Sequence, residues 1–291
     1  MGYDHTREER GVSMNRARVE TLNVPGACLY YEVRGAGPTL LMICGGPTDT
    51  TVYAGVADRL ADRYTVVTYD PRGNSRSRVD APEDDQSIAL DADDAERLLA
   101  AIGGAPAYVF GNSNGAMVGL DMVVRDPGQV RTLVAHEPPA LELLPDREHN
   151  RAQAQDVYHT YRRAGAGAAM AKFMAFGGFE GGPEPAPGPP SEPSSEDLAS
   201  MARTGRNIDV WLGQRFRSIA SYAPDVTGLR AAPSRIVVAV GEASQGQLAH
   251  KGGLELAKRL GTDAVIFPGD HGGFSAQPVA FAETLHAVLG G

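Results

Sequence analysis

Residues 107–124 read AYVFGNSNGAMVGLDMVV, and this stretch decides the fold. Its first four residues form an apolar run typical of a buried strand, and residues 116–124 form an apolar run of helical length. GNSNG, between them, fits the pattern G-x-S-x-G, in which a serine stands on a sharp turn from strand to helix. Glycines flank the serine because bulkier neighbours would clash with the adjoining helix and strand. The stretch predicts a strand–turn–helix unit with Ser113 as candidate nucleophile.

Short apolar runs recur on both sides of this unit, at residues 39–43, 64–69, 131–135, 235–240 and 264–267. They are apolar nearly throughout, as is typical of strands buried on both faces of a parallel sheet. Two further strands are predicted at 16–24 and 27–33. Helical patterns lie between most of the runs, at residues 56–63, 87–102, 251–260 and 279–289. The alternation predicts an α/β fold with a doubly wound, mostly parallel sheet.

The alternation is interrupted between residues 135 and 235. Residues 156–176 and 196–222 have helical patterns, and six prolines fall between 181 and 195. Long insertions of this kind commonly serve as lids over a site. We therefore predict a core of residues 16–139 and 231–291 and a helical cap of residues 140–230. The cap carries a proline-rich loop at 181–195, and residues 1–15 are predicted to be a mobile tail.

The composition is that of an ordinary globular protein, with 42% hydrophobic and 22% charged residues among 291. A formal charge of −9 without a Lys/Arg-rich run argues against nucleic-acid binding. Cys28 and Cys44 lie in apolar stretches and do not suggest a disulfide framework, which favours a reducing compartment. No signal-peptide pattern and no run of about 20 apolar residues is visible. We expect a cytoplasmic protein that acts on a small molecule, without membrane partners; its oligomeric state stays open.

A serine hydroxyl is a weak nucleophile unless a base takes its proton, so a histidine is required. Of the seven histidines, His271 lies in the glycine-rich sequence PGDHGGF at 268–274, just after the last predicted strand. Loops at the carboxyl ends of strands are where open α/β sheets build their sites. The sequence predicts His271 as the base.

The imidazole needs a carboxylate to orient it and to stabilise its charged form. Glu137 follows the strand predicted at 131–135, and Pro138 and Pro139 stiffen its loop. Glu242 is the only acid in the loop after the strand predicted at 235–240. We favour Glu137 as the acid, with Glu242 as the alternative.

Donors to a developing oxyanion are predicted at two positions. One is the backbone N–H of Asn114, and the other is that of Gly46 in the loop CGGPT at 44–48, where Pro47 has no N–H. Cys44 and Gly45 of this loop are candidate substrate contacts, although Cys44 also fits a buried strand-end cysteine. Trp211 is a third candidate substrate contact, and the alternative role for this residue is packing in the core of the cap.

The loop DPRGNSRS at 70–77 follows another strand and is interpreted as structural. We expect Asp70 and Arg72 to pair with the backbone or with each other. A substrate contact by Arg72 or Arg76 is the alternative.

Together these features resemble the α/β-hydrolase superfamily over residues 16–291. The motifs that carry the resemblance are CGGP at 44–47, DPRG at 70–73, the Ser113 turn and His271 before the last helix. Residues 136–139 with 269–274 are similar to hydrolases of this superfamily from actinobacteria. The superfamily's common acid after the penultimate strand is absent, but haloalkane-dehalogenase relatives can carry it after the earlier strand, where Glu137 lies. Those dehalogenases and epoxide hydrolases need an aspartate at the position of Ser113, so the resemblance does not imply their chemistry.

The resemblance implies a serine hydrolase that cleaves an ester-like bond of a small molecule through an acyl-enzyme, without a metal or organic cofactor. Two alternatives stay open. The same groups could cleave a carbon–carbon bond, a thioester or a lactone of a secondary metabolite, or the chain could be a non-catalytic ligand receptor on this fold.

Overall fold

The computed structural model describes residues 17–80, 86–179 and 195–290, with the side chains of 195–200 excepted. Within these ranges nine strands form one sheet. They are β1 Arg18–Val24, β2 Ala27–Arg34, β3 Thr39–Ile43, β4 Thr65–Tyr69, β5 Arg78–Val79, β6 Ala107–Asn112, β7 Val130–His136, β8 Arg235–Gly241 and β9 Val265–Phe267. The tail predicted at 1–15, and the proline-rich loop predicted at 181–195 except for Ser195, lie outside the described residues.

The strand order is β1-β2-β4-β3-β6-β7-β8-β9, with β5 paired to β2. β1 and β2 are antiparallel to their neighbours, and the strands from β4 to β9 along this path pair in parallel. The prediction of a mostly parallel α/β sheet is therefore confirmed. β5 was not predicted, because two residues are too few to give a periodic pattern.

The helices of the described residues are α1 Ala54–Leu60, α2 Ile88–Ile102, α3 Asn114–Arg125, α4 Arg147–Gly177, α5 Ser195–Val210, α6 Phe216–Ser221, α7 Val226–Ala231, α8 Leu248–Leu260, α9 Gly273–Ala276 and α10 Pro278–Gly290. Single helical turns lie at Thr50–Tyr53 and Leu141–Leu143, and a π-helical turn lies at Trp211–Arg215. None of the helices in these ranges has both the length and the apolar character that crossing a membrane requires.

Both faces of the sheet are buried. In β3, Leu41 and Ile43 pack in the hydrophobic cluster that includes α2 and α3, whereas Leu40 and Met42 pack in the cluster that includes α1 and α10. Successive residues of a strand point to opposite faces, so a strand covered on both sides must be apolar at every position. This is why the predicted strands have no polar alternation.

The described residues between 140 and 230 are mostly helical. Gly165 interrupts α4 with φ 81° and ψ 179°, and Lys172 forms an ion pair with Asp156 across the break. The helix predicted at 196–222 is divided by the π-helical turn into α5 and α6. α7 packs against α3 and α8 of the core.

A buried arginine joins the cap to the core. Arg215, in the π-helical turn, donates to Gln86 Oε1 and to the carbonyl oxygen of Arg72, both at 2.6 Å. Its guanidinium also lies 3.2 Å from Asp91 of α2. Because an arginine cannot shed its charge when buried, these partners must stay in place for the cap to remain docked.

Asp70 and Arg72 do not pair with each other. Asp70 accepts from Arg76 at 2.7 and 2.9 Å and from the backbone N–H of Thr50 at 3.0 Å. Arg72 instead donates twice to Asp94 of α2, at 2.6 and 2.7 Å, and both side chains are buried. Both are structural, as expected, but they belong to two separate networks.

Replacement of Asp94 by alanine removes the carboxylate from a buried, doubly hydrogen-bonded Arg72. We expect the free energy of unfolding to fall by about 3–5 kcal/mol, the usual result of removing one partner of a buried ion pair. Urea denaturation at pH 7.5 measures this change.

The matched control for that measurement is the preceding residue. Asp93 pairs with Arg97 at 2.7 Å on the partly exposed side of the same helix. Asp93→Ala should cost about 0.5 kcal/mol or less. Equal losses for the two variants would contradict the structural role given to the Arg72–Asp94 pair.

Candidate active site

The candidate nucleophile lies between β6 and α3, where the sequence predicts it. Ser113 has φ 57° and ψ −123°, a conformation that non-glycine residues rarely adopt. Its backbone N–H donates to the carbonyl oxygen of His136, at the end of the neighbouring strand β7, at 2.9 Å. The strained turn is thereby attached to the sheet, and the serine side chain stays partly exposed.

Close packing explains the two glycines of the motif. A Cβ on Gly111 would lie 2.3 Å from the carbonyl oxygen of Gly115, and a Cβ on Gly115 would lie 2.3 Å from that of Ile43. Neither site admits a side chain without moving backbone. Gly45 of the neighbouring loop also has no room for a side chain, since a Cβ added there would lie 2.6 Å from the Cβ of Ser113. Gly45 therefore lies against the candidate nucleophile.

Glu137 and His271 are joined by a short hydrogen bond. Glu137 directly follows β7, has a positive φ of 48° and is fully buried. Its Oε2 lies 2.5 Å from Nδ1 of His271. Burial alone would raise the pKa of Glu137, but the hydrogen bond and the charge of His271, with smaller effects of His136 and Ser244, lower it to about 2. An ionised carboxylate accepts a hydrogen bond from Nδ1–H, which leaves Nε2 of the ring as a proton acceptor.

Glu242, the alternative acid, has a different partner. Its side chain is exposed, and its Oε1 accepts from the backbone N–H of Gly269 at 3.1 Å. It thus stabilises the loop that carries His271 without contacting the imidazole through a hydrogen bond. The geometry favours Glu137 over Glu242.

The hydroxyl of Ser113 makes no hydrogen bond with any residue in the described part of the chain. The structure therefore places His271 in contact with Glu137. Ser113 lies at the end of the neighbouring strand β6 and is hydrogen-bonded through its backbone to His136, the residue before Glu137. Hydrogen bonds to a nucleophile are often long in the absence of substrate and shorten when it binds.

The two predicted oxyanion donors differ in their state. Asn114 is the first residue of α3, so its backbone N–H has no acceptor within the helix. Gly46 has a φ of 58°, and its N–H donates to the side-chain oxygen Oδ1 of Asn114. An acceptor oxygen therefore already occupies the position that Gly46 would offer to a substrate.

Two predicted substrate contacts are buried in the structure. Cys44 is buried, its Sγ lies 3.9 Å from the carbonyl oxygen of Tyr69, and burial raises the pKa of its thiol. Its side chain faces the core and not the site. Trp211 is also buried, with its ring centroid 4.8 Å from that of Phe173 and 5.0 Å from that of Phe216. It belongs to the aromatic core of the cap.

His136 is a buried residue of the site that the sequence analysis did not single out. Its Nδ1 lies 2.7 Å from Oδ1 of Asn112, the residue opposite it on β6. Its ring is surrounded by four others, Phe110, Phe267, Phe274 and Phe281. Asn112 and His136 directly precede Ser113 and Glu137, so their contact fixes the spacing of the two strand ends. The sequence feature that could have indicated this contact is that Asn112 and His136 are polar residues at the ends of two mostly apolar strands.

Phe179 connects the cap to the candidate base. It follows α4, and its ring centroid lies 5.5 Å from that of His271 and 5.8 Å from that of Phe173. The partly exposed ring of Phe179 thus gives the site an apolar wall next to the imidazole.

Comparison with known proteins gives consistent matches. The family model described as alpha/beta hydrolase fold matches residues 38–176. The chain is 35% identical over 278 residues to the Bacillus subtilis (strain 168) protein named "Uncharacterized hydrolase YraK", which covers 92% of this chain and 95% of that one. A thermophilic esterase from Thermogutta terrifontis has a TM-score of 0.71 at 20% identity, covering 95% of this chain and 98% of its own. A hydrolase from Pseudomonas aeruginosa PA01 has a TM-score of 0.71 at 24% identity, covering 94% and 98%. At these identities the two solved structures show a shared fold.

The burial of His136 has a consequence for acid stability. Burial lowers its pKa from the ordinary value of 6.5 to about 3. Between these values the unfolded chain binds a proton that the folded protein does not, so the free energy of unfolding falls as the pH decreases from 6.5 toward 3. We expect a loss of about 2 kcal/mol at pH 5 relative to pH 7.5 from this residue.

Denaturant titrations of the wild type and of His136→Gln at both pH values measure this loss. pH 5 lies above the ordinary pKa of 4.5 for Glu137, so the carboxylate contributes little to the difference. The variant should lose about 2 kcal/mol less than the wild type between the two pH values. An identical pH dependence of both proteins would contradict the expected shift.

Proposed function

The chain is a hydrolase that belongs to the α/β-hydrolase family, and on that premise we propose that it is a serine hydrolase acting on an ester-like bond of a small molecule. Ser113 is the proposed nucleophile, His271 the general base and Glu137 the acid that orients the base. The observation that carries this proposal is the 2.5 Å contact between the buried Glu137 carboxylate and His271 Nδ1. It fixes one tautomer of the imidazole, the one whose Nε2 can take a proton.

The first step is acylation. Ser113 Oγ attacks the substrate carbonyl carbon while Nε2 of His271 takes the hydroxyl proton. The buried negative charge of Glu137 stabilises the imidazolium that results, because the low-pKa carboxylate stays ionised throughout the neutral range. The tetrahedral intermediate then expels the alcohol, which leaves with the proton held by His271. Deacylation repeats these transfers with water in place of the serine hydroxyl.

The oxyanion is assigned to two backbone donors, the N–H groups of Asn114 and Gly46. The Asn114 amide lies at the start of α3, where the helix dipole favours negative charge. The Gly46 amide holds the side-chain oxygen of Asn114, so the substrate oxygen would replace that oxygen as acceptor.

The surroundings of His271 favour an uncharged, apolar substrate group. Phe179 lies against the imidazole, and Phe173 behind it continues into the aromatic core of the cap. Burying an apolar acyl or alcohol group against such rings contributes about 25 cal/mol per Å² of covered surface. We therefore place the uncharged ester of a small apolar acid first among candidate substrates.

Treatment with a fluorophosphonate tests whether Ser113 is activated. The wild-type protein should gain the mass of one phosphonyl adduct, and Ser113→Ala should gain none. The reagent reacts with a serine hydroxyl that is activated by an adjacent base. Intact-protein mass spectrometry measures both. A folded wild type that gains no adduct, or an alanine variant that is labelled to the same extent, would contradict the proposal.

The two glutamates form a matched pair for the choice of acid. Glu137→Gln keeps the shape of the side chain but removes its negative charge and one of its two acceptor oxygens, so the rate of labelling should fall about 10³-fold or more. Glu242→Gln removes only a contact to the Gly269 backbone and should label at nearly the wild-type rate. Stopped labelling reactions followed by mass spectrometry give the rates. A strong loss in Glu242→Gln with none in Glu137→Gln would reverse the assignment.

A further inference from the structure

A buried serine lies behind the proposed acid. Ser244, in the loop after β8, is completely buried, and its Oγ donates to Oε1 of Glu137. The same Oγ lies 3.0 Å from the carbonyl oxygen of Gly241 and 3.1 Å from Nδ1 of His250. Three polar groups thus converge on one hydroxyl that has no access to solvent.

The number of protons decides how these groups are connected. A serine hydroxyl has one hydrogen to donate, and a bond to an ionised carboxylate is about twice as strong as one to a neutral acceptor. The hydrogen of Ser244 therefore points to Glu137, and the oxygen of Ser244 must accept. His250 Nδ1 then carries a hydrogen and donates it to Ser244. The donors run in one direction, from His250 to Ser244 to Glu137.

The two oxygens of Glu137 have separate partners. Oε1 accepts from Ser244 and from the backbone N–H of Gly241, the latter at 2.9 Å, whereas Oε2 faces His271. A glutamate side chain has more rotatable bonds than an aspartate and loses more conformational entropy when it is fixed. The contacts on Oε1 fix the carboxylate plane and leave Oε2 for the imidazole.

We propose that Ser244 is a positioning residue for Glu137, and that His250 supports it by donating to the serine oxygen. This rests on the proposed function, in which Glu137 orients the base. Ser244 touches neither the candidate nucleophile nor a substrate. It acts through the direction and the charge of the carboxylate.

Removal of the Ser244 hydroxyl takes one of the two donors from Oε1 and leaves only the Gly241 N–H on that oxygen. It also takes the acceptor of His250, whose Nδ1 lies 3.6 Å from Oε1. The carboxylate is then less firmly held in the direction that presents Oε2 to His271. We therefore expect the effect on the base to come from the lost orientation of Glu137.

The test is an NMR measurement of the His271 Nδ1 proton in the wild type, Ser244→Ala and Ser244→Cys. The signal is assigned by its loss in His271→Asn, and its chemical shift reports the hydrogen bond to Glu137 Oε2. We expect the signal to move upfield in Ser244→Ala, because a less firmly held carboxylate accepts a weaker hydrogen bond. Cysteine keeps the shape of serine and is a weaker donor, so Ser244→Cys should give a smaller change in the same direction. It also keeps the test available if the alanine variant fails to fold.

Fluorophosphonate labelling of the same proteins gives the second readout. We expect a fall in rate of about tenfold in Ser244→Ala, with partial recovery in Ser244→Cys. If Ser244 only stabilises the fold, the free energy of unfolding falls while the His271 Nδ1 proton signal and the labelling rate stay at their wild-type values, and the proposal is wrong. A wild type that is not labelled at all refutes the proposed function, whereas the Nδ1 proton signal still decides the role of Ser244.

A pair of variants tests the support from His250. His250→Asn keeps a side-chain N–H near the position of Nδ1, and His250→Leu removes it. The leucine variant should label more slowly than the asparagine variant. Equal rates would show that His250 does not support Ser244.

Discussion

The buried carboxylate of Glu137 is the group on which the arrangement of the site depends. An ionised carboxylate without access to water is tolerated only when each oxygen has hydrogen-bond donors. Here the donors all lie more than 100 positions after Glu137 in the sequence. They are at the end of β8, in the loop after it and in the loop after β9. The need to satisfy one charge therefore draws the loops of the last two strands onto the end of β7. The position of His271 follows from the same need.

The parts of the site that the sequence predicted are those set by local chemistry. Ser113 could be predicted as a candidate because its turn requires glycines at fixed positions, and the Cβ clashes at Gly111 and Gly115 are the physical reason. Glu137 and His271 could be predicted as candidates because each stands after a strand in a stiff or glycine-rich loop. In each case the residue and its strand end lie within a few positions of each other, so a short window of sequence contains the whole signal.

The parts that escaped prediction depend on contacts between distant segments. Ser244 and His250 come close to Glu137 only because β8 lies next to β7. A short segment of sequence does not reveal the order of the strands in a sheet. The Gly46 N–H donates to the side-chain oxygen of Asn114, a residue 68 positions later in the sequence. The burial of Cys44 could not be decided from the sequence for a different reason. The direction of a side chain at a strand end depends on a one-residue alternation, and the run 39–44 is apolar at every position but the first.

The docking of the cap through Arg215 bears on how this protein can have diversified. Caps of this kind look like exchangeable modules, since they are single insertions between two strands. Here, however, the cap is attached by directional bonds to Gln86, Asp91 and the carbonyl oxygen of Arg72, which all lie more than 120 positions upstream. A cap transplanted from a relative without an arginine at this point would leave Asp91 buried without this cation. Exchange of the insertion alone, without a matching change at Asp91, therefore carries a cost in stability.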